Sequence, residues 1–447
     1  MAKVPDVALG ASNILNTGVA VMTGRPLART SYSAMGDPVP ERPALAGARS
    51  CEVCVIGGGI AGTSAALHLA ERGLDVILLE AQQIGWGASG RSGAQVLPGV
   101  AASQDSVEKL IGIEDARKVW DVSVAGVRLV RELIARHGID AEFVAGHMLT
   151  AVKPRHDAQL RAYVEELQQR YAYEGIRYMP AEEVRSVIAS SRYRGALYDA
   201  NAGHLHPLKY TLGLAAAAER LGVRIFTGTR AVDFAGRAPI RVRTAGGEVR
   251  CRQLVLCGNV YLGPTAPQLQ ARIMAVGTCI VATEPLGAAR AQALITNNAA
   301  VADMNWVLDY FRRSADERLL FGGRVTYAGF DPDRIAAATR ARMTRVFPQL
   351  QDVQVQFAWG GHVDITRNRA PDFGRLNPDV YYLQGFSGHG IALAGMAGKL
   401  VSEAIIGQAT RFDVFARIPH RAFPGGAALR RPALVLAMLY YRIKDLL

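Results

Sequence analysis

Residues 51–80 constrain this chain more than any other stretch. "CEVCVIGGG" reads as a strand running into a glycine turn, "IAGTSAALHLAER" as a helix stopped by Gly73, and "DVILL" as a second strand ending at Glu80. A strand, helix and strand in that order form a parallel pair with a helical crossover, which makes the fold class α/β. Gly57, Gly59 and Gly62 stand at the first turn as G-x-G-x-x-G. Gly57 permits the tight turn, Gly59 lets the backbone approach a pyrophosphate, and Gly62 allows close packing of helix on strand. Ile60 and Ala61 open the helix, whose free N–H groups and positive dipole end suit phosphate. Glu80 follows Gly62 by eighteen residues, at the strand tip where a carboxylate accepts hydrogen bonds from ribose hydroxyls and disfavours a 2′-phosphate; Ala81 comes next. These features in register point to a dinucleotide other than NADP.

A second glycine-rich loop, "GWGASGRSGAQ", lies just beyond that acid. A nicotinamide site needs no such loop, whereas a flavin, with its ring buried deep in the protein, needs more backbone donors. Ala88, Ser89, Arg91 and Ser92 are the leading candidates, with Gly87, Gly93, Ala94 and Gln95 beside them. Val232, and the strand "EVRCRQLVLCGN" ending on Cys257, Gly258 and Asn259, add cofactor-side candidates from a later helix-to-strand alternation. "GFSGHGIALAGMAGK" follows the strand "VYYLQ" and precedes a helix from about Ile391. Its glycines let backbone approach a flat ring, and the helix start directs N–H groups toward charge that accumulates on reduction. The backbone from Ser387 through Gly388 and Gly390 to Ile391 therefore carries this loop's function, with His389 a neighbour of the flavin and a candidate base.

Composition narrows the classes. With 447 residues, 50% hydrophobic and 20% charged, the chain has material for two or three cores. Five cysteines form an odd, sparse set, which argues for a reducing cytoplasm and against a disulfide scaffold; Cys51 and Cys54 read as core thiols. The formal charge of +12 is scattered, with no basic helix carrying interleaved aromatics, so nucleic acid is not an expected partner. No window is apolar enough for a transmembrane segment, and the basic run "RRPALVLAMLYYRIKDLL" reads as a helix packed on its own protein.

Along the chain, residues 1–50 read as an extended N-terminal arm, with the first compact element at Cys51. Segments 51–104, 200–268 and 360–415 carry the nucleotide pattern. Residues 105–199 are helical and charged, 269–359 strand-rich, and 416–447 a C-terminal helical extension. No internal repeat is visible.

"VCVIGGGIAGTSAALHLAERG", "GWGASGRSGAQ", "LVLCGNVYLG", "WGGHVDITRNRAPDFGRL" and "GFSGHGIALAGMAGKLVSEAI" together resemble the FAD-dependent amine and amino-acid oxidase superfamily of D-amino-acid oxidase, glycine oxidase and sarcosine oxidase, most nearly its bacterial γ-glutamylputrescine oxidase branch. The likeness runs from about Ser31 to the C-terminus. It implies a two-domain α+β flavoprotein, with a Rossmann-like FAD domain in discontinuous segments and an interleaved substrate domain built on an antiparallel sheet. It also implies hydride transfer from an amine carbon to flavin N5, giving an imine that water hydrolyses to an aldehyde or keto acid. The branch substrate is a γ-glutamylated diamine; an N-methyl or D-amino acid is the alternative. Several oxidases of this kind carry a lysine in the strand matching "ERLLFGGRVTY", and this stretch has none, so a quinone or another carrier stands beside oxygen as electron acceptor. No cysteine occurs after Cys279, so the covalent flavin link of sarcosine oxidase is not expected and FAD should be dissociable.

His362, after Trp359 and Gly361 in a strand entering the flavin domain, is a second candidate base, with Trp359 and Gly361 on the cofactor side. Tyr261, Tyr310, Arg312, Trp359 and Arg367 are candidates for an aromatic, basic pocket that receives a glutamyl carboxylate. His204 and His206 in "GHLHPLKY" lack a third ligand nearby and read as a turn before Pro207, so no metal is expected.

Overall fold

Val53–Ile56 and Val76–Leu79 are apolar and buried at every position, and they lie side by side, parallel, inside a six-stranded sheet. A strand covered on both faces must be apolar throughout. Alternation then decides which layer each side chain meets. Val53, Val55, Val76 and Leu78 face a helical layer, while Cys54, Ile56, Ile77 and Leu79 face a smaller sheet. The computed structural model describes residues 29–36, 38–326 and 330–424.

The six strands run in the order Asp372–Asn377, Val380–Gln384, Gln253–Leu256, Val53–Ile56, Val76–Leu79, Arg224–Phe226. All are parallel except the first, an antiparallel edge. Helices Ile60–Ala70, Ile113–His137, Pro207–Arg220 and Ile391–Ile405 cover one face. The opposite face is covered by Gly47–Ser50, Gly247–Cys251, Ile240–Thr244 and Ala231–Ala235, paired as a four-stranded sheet.

A nine-stranded mixed sheet forms the second half. It runs Val355–Thr366, Ile273–Thr283, Leu319–Thr326, Tyr310–Arg313, Ala300–Asp303, Val144–Ala151, Gly195–His204, Gln95–Val96, with Ile176–Pro180 also paired to Gly195–His204. Helix Pro332–Val346 packs on one face over Cys279, Val281, Phe311 and Phe321. The alternate residues, among them His147, Leu149, Thr278 and Tyr310, face a cavity between this sheet and the nucleotide half.

Three sequence expectations are corrected. Residues 30–50 are not an arm. Ser31–Met35 is a helix capped by Thr30, Tyr32 is buried with its hydroxyl donating to Ser92 O at 3.0 Å, and Gly47–Ser50 pairs in parallel with Gly247–Cys251. Compact structure thus begins before Cys51. The helical block after residue 105 is divided: Ile113–His137 shares a core with the glycine helix Ile60–Ala70, while Pro154–Tyr171 packs with the nine-stranded sheet. Strand Gly195–His204 runs unbroken through the expected boundary between 199 and 200. Residues 1–28, and the terminal helix expected within 425–447, lie outside the described residues. Cys54 is buried in the sheet and Cys51, half-buried, precedes it, neither in a disulfide. Among the described residues no helix is long and apolar enough to cross a membrane.

The glycine helix and Ile391–Ile405 pack at backbone contact. Ser64 Oγ donates to Gly395 O at 2.7 Å, and a β-carbon on Gly398 would lie 2.5 Å from Ala65 N and 2.8 Å from Ala61 O. No flexible side chain is there to give way. Gly398→Val should therefore lower stability by about 1–3 kcal/mol, as overpacking does. The check is the urea unfolding midpoint of the cofactor-loaded protein, and an unchanged midpoint would refute the contact.

Candidate active site

The strand tips of the six-stranded sheet open into a cavity of about 1460 Å³, larger than the roughly 300–1,000 Å³ of an ordinary small-molecule site. Its floor is the glycine turn. Gly57 sits at φ +112°, and a β-carbon there would lie 2.7 Å from Cys257 O, so backbone from two parallel strands meets where a side chain cannot fit. Gly62 is not on the wall; its α-carbon packs under Gly57 O, where a β-carbon would overlap that oxygen. Gly59 begins the helix with no side-chain cap, and Gly57, Gly59, Ile60 and Ala61 line the cavity. Glu80 is a half-buried wall residue: Oε2 accepts from Gly58 N–H at 2.6 Å and Oε1 from Gln82 N–H at 2.8 Å. Burial nonetheless raises its pKa above the usual carboxylate value.

The second glycine loop folds against the first. Ser89 Oγ accepts from Ile60 N–H at 3.0 Å, so this hydroxyl ties the loops together as well as facing the cavity. Ala81, Gly87, Ala88, Ser92, Gly93, Ala94 and Gln95 also line it, as do Cys257, Gly258 and Asn259. Two residues expected on this wall lie elsewhere. Arg91 turns back, its Nε donating to Trp86 O at 2.7 Å and its guanidinium 4.3 Å from the Trp86 ring. Val232 is 47% exposed at the outer surface, and its neighbours Thr229, Arg230 and Ala231 take its place.

Ser387, Gly388, His389, Gly390 and Ile391 form the facing wall. Asp364, which the sequence reading did not single out, holds them in place. Its Oδ2 accepts from the N–H groups of Gly385 and Phe386, and its carbonyl accepts from Ser387 N–H at 2.9 Å. Burial pushes the Asp364 carboxyl up to about 6 despite these bonds. Helix Ile391–Ile405 starts at Gly390 with no side-chain cap. His389 Nε2 lies 2.8 Å from Pro98 O, and burial lowers its pKa, so the ring is a neutral donor to that carbonyl. His362 lines the cavity too, with Nδ1 3.5 Å from Tyr261 OH and its pKa lowered by burial and by Arg91.

Of the expected substrate residues, Tyr261, Tyr310 and Arg367 are on the wall. Arg312 is not: it is buried, with Nε donating to Gly93 O at 3.1 Å and Nη2 to Tyr32 OH at 3.1 Å, and so braces the second glycine loop from behind. Trp359 is likewise scaffold, its Nε1 donating to Arg91 O at 2.9 Å, and Gly361 packs on the Arg91 side chain. His204 contacts Asn298 O through Nε2 at 2.9 Å, and His206 Nδ1 caps the next helix by accepting from Lys209 N–H at 3.1 Å. No three His, Cys, Asp or Glu side chains among the described residues could hold a metal ion.

Away from the nucleotide floor the cavity continues into a lobe walled by Trp120, His147, Leu149, Tyr163, Tyr173 and Asp199. None of these was legible as a site residue, because they are scattered along a helical, charged stretch with no local motif.

The FAD dependent oxidoreductase family matches residues 52–404, spanning both glycine loops and the Ser387–Ile391 wall. The chain belongs to this FAD-dependent family. It is 40% identical over 397 residues to the gamma-glutamylputrescine oxidoreductase of Escherichia coli, covering 89% of this chain and 93% of that one. It is 37% identical over 408 residues to the probable oxidoreductase OrdL of Haemophilus influenzae, covering 90% and 94%. L-amino acid deaminase from Proteus vulgaris shares the fold at TM-score 0.70 and 17% identity, covering 84% of this chain and 99% of that one. The flavoprotein's own geometry fits FAD: the tight glycine turn at Gly57, the half-buried carboxylate of Glu80 and two helix starts face one cavity.

At Gly57 a side chain faces both a left-handed φ and the Cys257 carbonyl. Gly57→Val should give protein purified with little or no bound flavin, measured as the absorbance ratio near 450 and 280 nm, on the order of tenfold below wild type. Full flavin occupancy would contradict the cradle.

Proposed function

We propose that this flavoprotein oxidises a primary amine, most simply that of a γ-glutamylated diamine such as γ-glutamylputrescine, with oxygen as acceptor. The observation that carries the reading is the cavity wall beside Ser387–Ile391, where His362 and His389 are held neutral by burial and from which the cavity continues into an aromatic lobe. An amine must be uncharged for its carbon to release a hydride, and a low-dielectric pocket favours the uncharged form. Similarity to the E. coli gamma-glutamylputrescine oxidoreductase supports the substrate class.

FAD, held without a covalent link, supplies the two-electron acceptor. Glu80 and the N–H groups after Gly59 would hold its ribose and pyrophosphate. The N–H groups at Gly390 and Ile391, at a helix start, would stabilise negative charge at the ring. Asp364 keeps that wall rigid by accepting its backbone N–H groups. No proton transfer is assigned to His389 or His362. His389 is committed to Pro98 O, and burial leaves both rings weak bases.

His389→Ala should therefore retain amine-dependent flavin reduction within about tenfold, not the 10²- to 10⁴-fold loss expected for a general base. Anaerobic stopped-flow reduction measures it; loss of reduction with FAD still bound would overturn the backbone reading.

Burial holds both imidazoles below their ordinary value, which favours the neutral form at pH 7 and above. The rise in reduction rate between pH 7 and 9 should then follow deprotonation of the substrate ammonium and persist in His362→Asn. A profile that flattens in that variant would assign the proton to His362. Mixing the reduced protein with air checks the acceptor, rapid reoxidation being expected.

A further inference from the structure

His147 and Asp199 stand directly opposite one another in the antiparallel pair of Val144–Ala151 and Gly195–His204. Opposed residues project from the same face with β-carbons about 5 Å apart, and both of these line the cavity. A bulge sets their alignment. The register shifts between Ala145 and His147, around Gly146 at φ +105°, and such a bulge re-aims the side chain that follows.

Both side chains are buried, at 5% and 4% exposure. His147 Nε2 has no hydrogen-bond partner. Asp199 is satisfied on one side only. Its Oδ1 accepts from Tyr173 OH at 3.1 Å, Asn201 N–H at 2.9 Å and Ala202 N–H at 3.3 Å, whereas Oδ2 accepts from Tyr173 OH alone, at 2.9 Å, among the described residues. Aromatic rings surround the pair. Tyr173 stands edge-on to Trp120 at 5.2 Å, and Tyr163 lies near enough for the Asp199 charge to help raise its pKa. A half-satisfied carboxylate, an imidazole nitrogen without a partner and aromatic rings in one lobe suit a positively charged nitrogen.

We propose that this end of the cavity is a cation subsite in which Asp199 receives a charged nitrogen of the substrate other than the one oxidised, while His147 accepts a hydrogen bond from the same ligand. The nitrogen that reacts must shed its charge before the carbon gives up a hydride, and a carboxylate would oppose that. Asp199 therefore suits the nitrogen that stays protonated. Burial holds its carboxyl above the usual range, and an ammonium ion restores the stabilisation that water no longer gives. His147, held neutral by burial at a pKa of about 3, accepts from such a group without repelling it. The substrate class becomes diamines, polyamines and their conjugates that keep a second cationic nitrogen.

The subsite rests on the proposed amine oxidation for the identity of its ligand, and binding tests it by itself. FAD-loaded protein is reduced with dithionite, so that no amine can turn over. It is then titrated by calorimetry with a series of α,ω-diamines and with n-alkylamines of matching length. In wild type at least one diamine should bind about 10- to 100-fold more tightly than its monoamine. In Asp199→Asn that ratio should collapse toward one, and in Tyr173→Phe, which removes one donor to Asp199, it should change less. Retained flavin absorbance shows that both variants are folded. No diamine preference in wild type, or a preference unchanged in Asp199→Asn, would overturn the subsite. Failure of every amine to reduce the oxidised wild-type flavin would instead refute the proposed reaction and leave the binding result standing.

Discussion

The close approach of Gly57 to the Cys257 carbonyl is the contact on which the rest depends. Two neighbouring parallel strands end there, and only a residue without a side chain lets the chain turn between them into a helix. The same economy recurs behind it, where Gly62 packs under Gly57 O and Gly398 against the backbone of Ala61 and Ala65. With those three glycines in place, the glycine helix sits close on the sheet and the closing helix close on the glycine helix. Their starts then open on one cavity beside Glu80, and the positive dipole ends they present favour a phosphate-bearing ligand.

Burial, more than any ion pair, sets the chemistry of that cavity. It lowers the affinity of His147, His362 and His389 for protons and raises it for Glu80, Asp199 and Asp364. In every case desolvation is the largest cause, because a low-dielectric wall disfavours charge of either sign. The carboxylates answer it with backbone donors. Glu80 takes the Gly58 N–H of the first glycine loop together with that of Gln82, and Asp364 takes N–H groups of the last loop, so each acid is also a clamp on its loop.

Much of the nucleotide floor was legible because its constraints are local. Spacing alone placed Gly57, Gly59, Gly62 and Glu80, since turn, helix start and strand tip follow one another within thirty residues. The GFSGHG loop was legible for the same reason. Long side chains were less so: Arg91, Arg312 and Trp359 stand next to site residues in sequence yet turn away, because a guanidinium or indole reaches whichever carbonyl the fold brings near. Tyr32 shows the converse. Its segment reads as a loose arm, but the hydroxyl meets Ser92 O across 60 residues of chain and Arg312 across 280.

By itself the sequence determined the parallel α/β core, the dinucleotide floor and the backbone character of the closing loop, all of which are properties of contiguous residues and their periodicity. Only the tertiary structure decided what the substrate meets. Trp120, His147, Tyr163 and Asp199 come from four separate elements and Tyr173 from the connection after one of them, and none carries a local signal of a site. They acquire meaning when a bulge and a strand register bring an imidazole and a carboxylate to the same face of one sheet, at distances that no local pattern encodes.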